Sequence, residues 1–405
     1  MIKYTSAGDS HGEALVGILE NVPAHIAIDI KRINAMLSLR QRGYGRGKRM
    51  QIEKDAVRII SGVTERFSDS GTGESTQSKN KQPENLLLET SGAPIGMLIE
   101  NRDYTLNKTK RFFTVVRPGH SDFAGTVKFD FHNAAIPSER TSARTTAMDV
   151  AAGALLLSYL ELFGIEVYFF TERIGSVRAD GVLEKGKFTK EAFEHALKND
   201  LLVPPSGDYA AMKAEVDRAI SQRDSIGGSG VVVVKGVPPG VGHYGNFLDK
   251  LDGIIAHFVM SVPSVKSVEV GTLSDAFLRG SFTGSAFHDA LLVENGKLTR
   301  KTNNAGGIEG GLSNGEDIVI RVGFKPIPTV LKGVPSVDLL GLSEKRSVYV
   351  RSDTCVVPAG TVVSAMRVSL ALSTVLSEQF GGDSAADAKA NFEGWLSRRR
   401  KFWQR

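Results

Sequence analysis

Two long apolar helical segments constrain this chain most, because a helix that is apolar over most of its surface has to be buried. The first, Ser142 to Phe163, sets Ala147, Val150, Ala151, Ala154 and Leu155 at helical spacing, with Thr141 or Ser142 as N-cap and Gly164 just past its end. The second runs from about Thr361 to Phe380 and is stopped by Gly381-Gly382. Each follows an arginine- and serine-bearing motif, Arg140-Thr-Ser-Ala-Arg144 and Arg351-Ser-Asp353. The pattern predicts an α+β chain with two similar halves, each carrying a long central helix.

Other elements fit that frame. Asp29 to Arg42 reads as a helix, with Ile30, Ile33, Met36 and Leu37 on one face, and it runs into the loop Arg42-Gly-Tyr-Gly-Arg-Gly47. Val231–Val234, Val265–Val270 and Ile318–Val322 read as strands. Between Thr64 and Asn85 the only large apolar side chain is Phe67, so residues 64–85 are expected to form a mobile insertion. Residues 397–405 form a basic tail, read as a solvated terminus or as a nucleic-acid or phosphate contact. No linker divides the chain, and one domain over residues 1–405 is expected. Glu161, Gly164 and Glu166 interrupt the apolar run from Val150 to Phe170, which argues against a membrane span. The N-terminus lacks the apolar core of a signal peptide, and the single cysteine, Cys355, suits a reducing compartment. A cytoplasmic protein is expected.

Fifty Lys+Arg against 45 Asp+Glu give a net charge of +5, so the placement of cations matters more than their excess. Gly8-Asp-Ser-His-Gly12 matches a nucleophile elbow, but too few residues precede it for more than a short edge strand, which argues against Ser10 as an acyl nucleophile. His11 sits among glycines where backbone can approach a ligand, although an isolated histidine reads equally as a structural one. Arg117-Pro-Gly-His120-Ser-Asp122 displays an arginine and a histidine on one turn, which reads as an anion site with a proton donor attached or equally as a structural turn. Arg40, Arg46 and Arg49 flank the glycine loop, Arg140 and Arg144 open a helix, and Arg351 precedes Ser352-Asp353. Arginines at loops and helix starts suit a small, multiply anionic ligand. RNA binding would interleave aromatics with them, and only Tyr44 is near. The glycine-rich Asn303 to Gly315 and the following Lys325-Pro-Ile-Pro-Thr329 leave flavin contacts and structural turns equally open. No metal-ligand spacing is present.

In order along the chain these segments resemble the chorismate synthase family. The resemblance rests on Gly8-Asp-Ser-His-Gly12, Arg42-Gly-Tyr-Gly-Arg-Gly47, Arg117-Pro-Gly-His-Ser-Asp122, Ser142-Ala-Arg144, Gly284-Ser-Ala-Phe-His-Asp289, Ala305-Gly-Gly-Ile-Glu-Gly-Gly311, Lys325-Pro-Ile-Pro-Thr329 and Arg351-Ser-Asp-Thr-Cys-Val-Val-Pro358. It implies a β-α-β sandwich assembled as a homotetramer. The implied reaction is a 1,4-anti elimination of phosphate from 5-enolpyruvylshikimate-3-phosphate to give chorismate, dependent on reduced FMN.

By the same resemblance, His11 protonates the departing phosphate, His120 stabilises the charge of reduced flavin, and Asp353 is the base at flavin N5. Arg40, Arg46, Arg117, Arg144 and Arg351 form the substrate cage. Arg140, Thr141, Ser142, Ala143, Pro263, Ser264, Gly310, Lys325, Pro326, Ile327, Pro328, Thr329 and Arg351 match flavin-contacting positions, and Arg40 and Arg46 match positions linked to NADPH. Neither nucleic acid nor a membrane is an implied partner. The chain departs from the family's pattern at Asp9, Thr145 and Ala290, where acids of the usual length or the usual acids are missing, and at Pro263-Ser264. A divergent FMN-binding paralogue and a hydrolase using Ser10 are the alternatives.

Overall fold

The computed structural model describes residues 1–47, 54–65, 88–102, 104, 111–181, 183, 188–278, 280, 282–347 and 352–403. Strand β1 (Lys3–Ala7) turns back through residues 8–13 into β2 (Ala14–Glu20), pairing antiparallel from Lys3↔Glu20 to Ala7↔Val16. Helix α1 (Ile30–Gln41) follows. The Asp29 side chain caps it by accepting from Arg32 N at 2.9 Å. Strands β3 (Arg58–Ile59) and β4 (Ile95–Glu100) complete a sheet of order β1-β2-β4-β3. The short edge strand read before Gly8 is therefore present.

Helix α2 (Thr146–Glu161) is entered through a 3-10 turn over Ala143–Thr145, which Ser142 caps by accepting from Arg144 N at 3.3 Å. Strands β5 (Glu166–Ile174), β6 (Val177–Arg178), β7 (Gly228–Lys235), β8 (Val265–Val270) and β9 (Ile318–Phe324) build a second sheet of order β8-β9-β7-β5-β6. Helix α3 (Leu251–Met260) leads into β8. The second long helix, α4 (Val357–Phe380), begins four residues before Thr361. Pro358 sits in its first turn, where a missing N–H breaks no helical bond.

The two long helices lie against each other between the sheets, giving the β-α-β sandwich. Their contact depends on Gly153, where an added Cβ would stand 2.3 Å from Met366 O. Ser369 Oγ donates to Gly153 O at 2.9 Å across the same contact. Leu15, Leu19, Ile95 and Met97 face the helices from the first sheet, and Phe169, Val232, Val234 and Ile320 from the second. Each such side chain contributes on the order of 2–5 kcal/mol against truncation to alanine. A smaller core of Phe170, Phe188, Val231 and Val233 covers the opposite face of the second sheet.

The N-terminal segment meets the end of α4 and the start of the helix after it. Ile2 N donates to Ser377 Oγ at 2.7 Å, and Ala24 bridges to Ser384. Helix α5 (Ala385–Arg399) then packs Phe392 and Trp395 on Phe380. The described part of the basic tail is largely exposed, with Ser397 to Arg399 completing α5 and the Arg399 guanidinium 4.7 Å from the Trp395 ring centroid. Among the described residues one helix, α4, is long and apolar enough to cross a membrane, yet 83% of its most apolar window is buried within the sandwich. Of the expected insertion, Thr64 and Glu65 lie in the strand Val63–Glu65, and the remainder lies outside the described residues.

Candidate active site

The β1–β2 turn holds the first histidine. Gly8 has φ +115°, and an added Cβ would stand 2.6 Å from Ala14 O, so the turn demands glycine. Ser10 is 1% exposed, its N–H donates to Glu139 O at 3.2 Å, and a strand follows instead of a helix. A nucleophile elbow needs an exposed serine opening a helix, so this turn is not one. His11 is gripped by Glu139, with the backbone N–H 2.8 Å from Oε2 and Nδ1 2.9–3.0 Å from both carboxylate oxygens. Burial pushes the Glu139 carboxyl up, but hydrogen bonds from His11 and the charge of Arg111 hold it below the usual range.

A buried polar wall stands behind this turn. Asn101 Nδ2 donates to Gly12 O and Asp9 O at 2.7 and 3.1 Å, and Asn101 Oδ1 accepts from Arg144 Nε at 2.7 Å. Asp55, its side chain fully buried, takes Arg144 Nη1 at 2.5 Å and Arg40 Nη1 at 3.3 Å. Arg40 also donates to Thr146 Oγ1 and Ala143 O at 3.0 and 2.6 Å. Burial pulls its guanidinium down to about 10, with Asp55 opposing.

The second histidine has the same kind of support. The Arg117 guanidinium grips Asp122 at 2.7 and 2.8 Å, and His120 Nδ1 lies 2.7 Å from Asp122 Oδ1. Burial raises the Asp122 carboxyl, yet hydrogen bonds from His120 and Arg117 bring it down to about 2. The Pro118-Gly119 turn rests on the Lys325–Thr329 segment. Lys325 Nζ donates to Gly119 O at 2.9 Å, and Arg117 Nη1 to Thr329 Oγ1 at 3.3 Å. Burial and Lys266 push the Lys325 ammonium down. Ser264, at φ 74°, accepts from Lys325 N at 2.9 Å, which places Pro263-Ser264 beside this segment.

The glycine loop closes the region. Asp353 accepts from Gly47 N at 2.6 Å and pairs with Arg46 Nη1 at 3.2 Å. Ser225 Oγ donates to Ile327 O, and Ile226 N to Thr354 O, joining the Lys325–Thr329 segment to the approach of α4. Both histidines border one short segment. Glu139 holds His11, while Ser121 Oγ lies 2.5 Å from Thr141 Oγ1, which donates to Pro137 O. Arg140 donates to Ser6 O on β1 at 3.1 Å.

Of the residues named from sequence, Gly310 stands apart. It lies exposed between Ile308–Glu309 and Leu312–Ser313, near Gly242 and Leu251, at the Ile318 end of β9, whereas Lys325 follows the Phe324 end. The seven residues of β9 separate the two by about 20 Å. Arg351 lies outside the described residues. Sequence reasoning missed Glu139, Asp55 and Asn101, whose partners are 128, 89 and 43 residues away. Their only sequence signal is an acid or amide lying outside any recognised motif.

Buried guanidinia, two carboxylate-held histidines and a carboxylate bonded to a glycine loop are the furniture of an enzyme acting on a small substrate. The family model for chorismate synthase matches residues 2–376. The chorismate synthase of Caldicellulosiruptor bescii is 43% identical, covering 97% of this chain and 98% of its own. That of Acidobacterium capsulatum is 39% identical over 99% of this chain and 100% of its own. A crystal structure of chorismate synthase superposes with a TM-score of 0.75 at 30% identity, covering 98% of each chain. The chain belongs to the chorismate synthase family, lyases of aromatic amino acid biosynthesis.

Proposed function

We propose that this enzyme converts 5-enolpyruvylshikimate-3-phosphate to chorismate by 1,4-anti elimination of phosphate and a ring proton, with reduced FMN bound beside the substrate. What supports this reading is that His11, His120 and Asp353, on turns far apart in sequence, are each held by polar partners, and that the segment of Glu139 and Thr141 touches both His11 and Ser121, the neighbour of His120.

Arg40, Arg117 and Arg144 are 3, 7 and 3% exposed and have Asp55 or Asp122 as counter-charge. They attract the substrate's carboxylates and phosphate as a positive wall, with Arg46 and Arg351 as further cations of the cage. His11, with Nδ1 on Glu139, delivers a proton from Nε2 to the leaving phosphate. Asp353, aimed by Gly47 N–H and Arg46, would be the base toward a bound flavin. His120, anchored on Asp122, would donate a hydrogen bond to it. Reading Thr145 in place of the usual acid leaves these groups in position, since its Oγ1 donates locally to Ser142 O at 3.0 Å.

The residues present fit a flavin phosphate and ring. Lys325 is a partly buried cation beside the Pro118-Gly119 turn. Thr141 and Ser142 bring hydroxyls to the start of the 3-10 turn, and Pro326, Ile327 and Pro328 add apolar surface. These residues would hold the cofactor together with Arg140, Ala143, Pro263, Ser264, Thr329 and Arg351. Reduced FMN, when bound, supplies electron density transiently as phosphate departs. Gly310 joins this group only from a neighbouring subunit, which accords with a homotetramer. Arg40, whose guanidinium donates to Asp55, Thr146 and Ala143, acts through its charge on the substrate and on any NADPH, with Arg46 beside it. Closure over the substrate excludes water and strengthens every charge contact inside. We place the enzyme in the cytoplasm.

The test is anaerobic incubation of the protein with 5-enolpyruvylshikimate-3-phosphate and dithionite-reduced FMN, following chorismate absorbance and phosphate release. Turnover that disappears in His120→Ala and Asp353→Asn is expected. A folded, FMN-binding protein without turnover would overturn the reading in favour of a divergent paralogue.

A further inference from the structure

We infer that Glu139 is the positioning residue for His11, fixing Nδ1 as the nitrogen that keeps its proton so that Nε2 is the atom that takes up and, from the doubly protonated ring, gives the transferred proton. This rests on the function proposed above, in which His11 is the acid. An imidazole on a flexible turn has two tautomers and free rotation about the ring bond. Only one combination aims Nε2 at a leaving group while Nδ1 keeps its own proton, so that the imidazolium loses its proton from Nε2.

Glu139 removes that freedom in three ways. Its carboxylate accepts from His11 Nδ1 through both oxygens, at 2.9 and 3.0 Å, so a neutral ring carries its proton on Nδ1 and its lone pair on Nε2. It accepts the His11 backbone N–H at 2.8 Å, tying main chain and ring to one group. Its own carbonyl takes Ser10 N at 3.2 Å, which docks the whole Gly8–Gly12 turn on the Ala135–Arg140 helix. When the ring is doubly protonated, the carboxylate also balances its charge, and the proton leaves from Nε2.

Arg111 keeps the carboxylate ionised from the other side. Its Nη1 is 3.5 Å from Glu139 Oε1 and 3.4 Å from His11 Nδ1, and two donors that close need the carboxylate between them. The low-lying Glu139 carboxyl agrees with that arrangement. The same device recurs at His120, where Asp122 and Arg117 stand in the places of Glu139 and Arg111. There acid and histidine are two residues apart, whereas here they are 128 apart.

The experiment is a double-mutant cycle on the full-length enzyme with reduced FMN. Glu139→Ala in the parent should lower kcat by about tenfold to a hundredfold, the scale of a mis-set general acid, while KM changes less than about threefold. In a His11→Ala background the same substitution should change kcat by less than about twofold, since no imidazole is left to orient. Glu139→Gln, which keeps one acceptor oxygen, should recover part of the loss. An equal loss in both backgrounds, or a Glu139→Ala enzyme with parental kcat, would overturn the inference. Absence of chorismate from the parent enzyme would instead overturn the proposed function. Nitrogen-15 spectra of histidine-labelled protein supply a readout independent of turnover. The neutral His11 ring should be protonated at Nδ1 in the parent and mixed in Glu139→Ala. A single unchanged tautomer in both would also overturn the inference.

Discussion

Asp55→Ala removes a carboxylate shared by two buried arginines. The Asp55 side chain is inaccessible to solvent, with Arg144 Nη1 at 2.5 Å and Arg40 Nη1 at 3.3 Å. Alanine leaves two guanidinia in a dry wall with no carboxylate between them. Arg40 is already held down by burial, with Arg144 and Arg46 adding repulsion that Asp55 offsets. Removing one partner of a buried ion pair costs about 3–5 kcal/mol, because the surviving charge is stranded. The neutral acceptors that remain, Thr146 Oγ1, Ala143 O, Asn101 Oδ1 and Glu100 O, keep the loss from doubling for the second arginine.

With about 2.1 cal/mol/K of unfolding entropy per residue, the 405-residue chain should melt about 4–6 °C lower. Asp55→Asn keeps an acceptor for one arginine and should fall about half as far. Differential scanning calorimetry at pH 7 measures both. A drop under about 1 °C for Asp55→Ala would refute the claim that this carboxylate holds the wall together.

Two further outcomes follow from the titrating groups. Asp122 is lowered to about 2 by His120 and Arg117 against the cost of burial, so its folded value lies below its unfolded one near 4. Its contribution is complete above about pH 4 and is lost as pH falls toward about 2, so acid melting of Asp122→Asn should be flatter than the parent's over that window. Burial pushes the Cys355 thiol up to about 11, so a disulfide reagent at pH 8 should leave it untouched in native protein and label it fully in urea. Rapid labelling of the native enzyme would contradict the burial of the α4 approach.

The helices were legible because their signals are local. Apolar spacing and Gly381-Gly382 mark α4, and only its start moved, since Pro358 belongs inside the first turn. The loop Gly8–Gly12 could be read as following a short edge strand because the preceding segment is too brief for anything else. Sheet order was not legible, since β9 lies between β8 and β7 although it comes after both in sequence. The histidines and arginines were legible through recurring glycine and proline contexts, but the acids that hold them were not. Glu139 and Asp55 act on side chains contributed by other segments, and nothing in their own neighbourhood says so. The basic tail could be read as a solvated end from its charges alone, whereas the packing of Arg399 over Trp395 could not.

The hydrogen bond from Ile2 N to Ser377 Oγ spans 375 residues, and it sets a timetable for the nascent chain. The inner face of β5 and β7, including Phe169, Val232 and Val234, stays uncovered until α4 has been synthesised. At about 5–20 residues per second, the wait between β7 and the end of α4 is roughly 7–30 s. During that interval a strand face with no helix above it is available to other chains. Yield in the cell should therefore respond to translation speed and chaperone supply more steeply than the finished sandwich's stability would suggest.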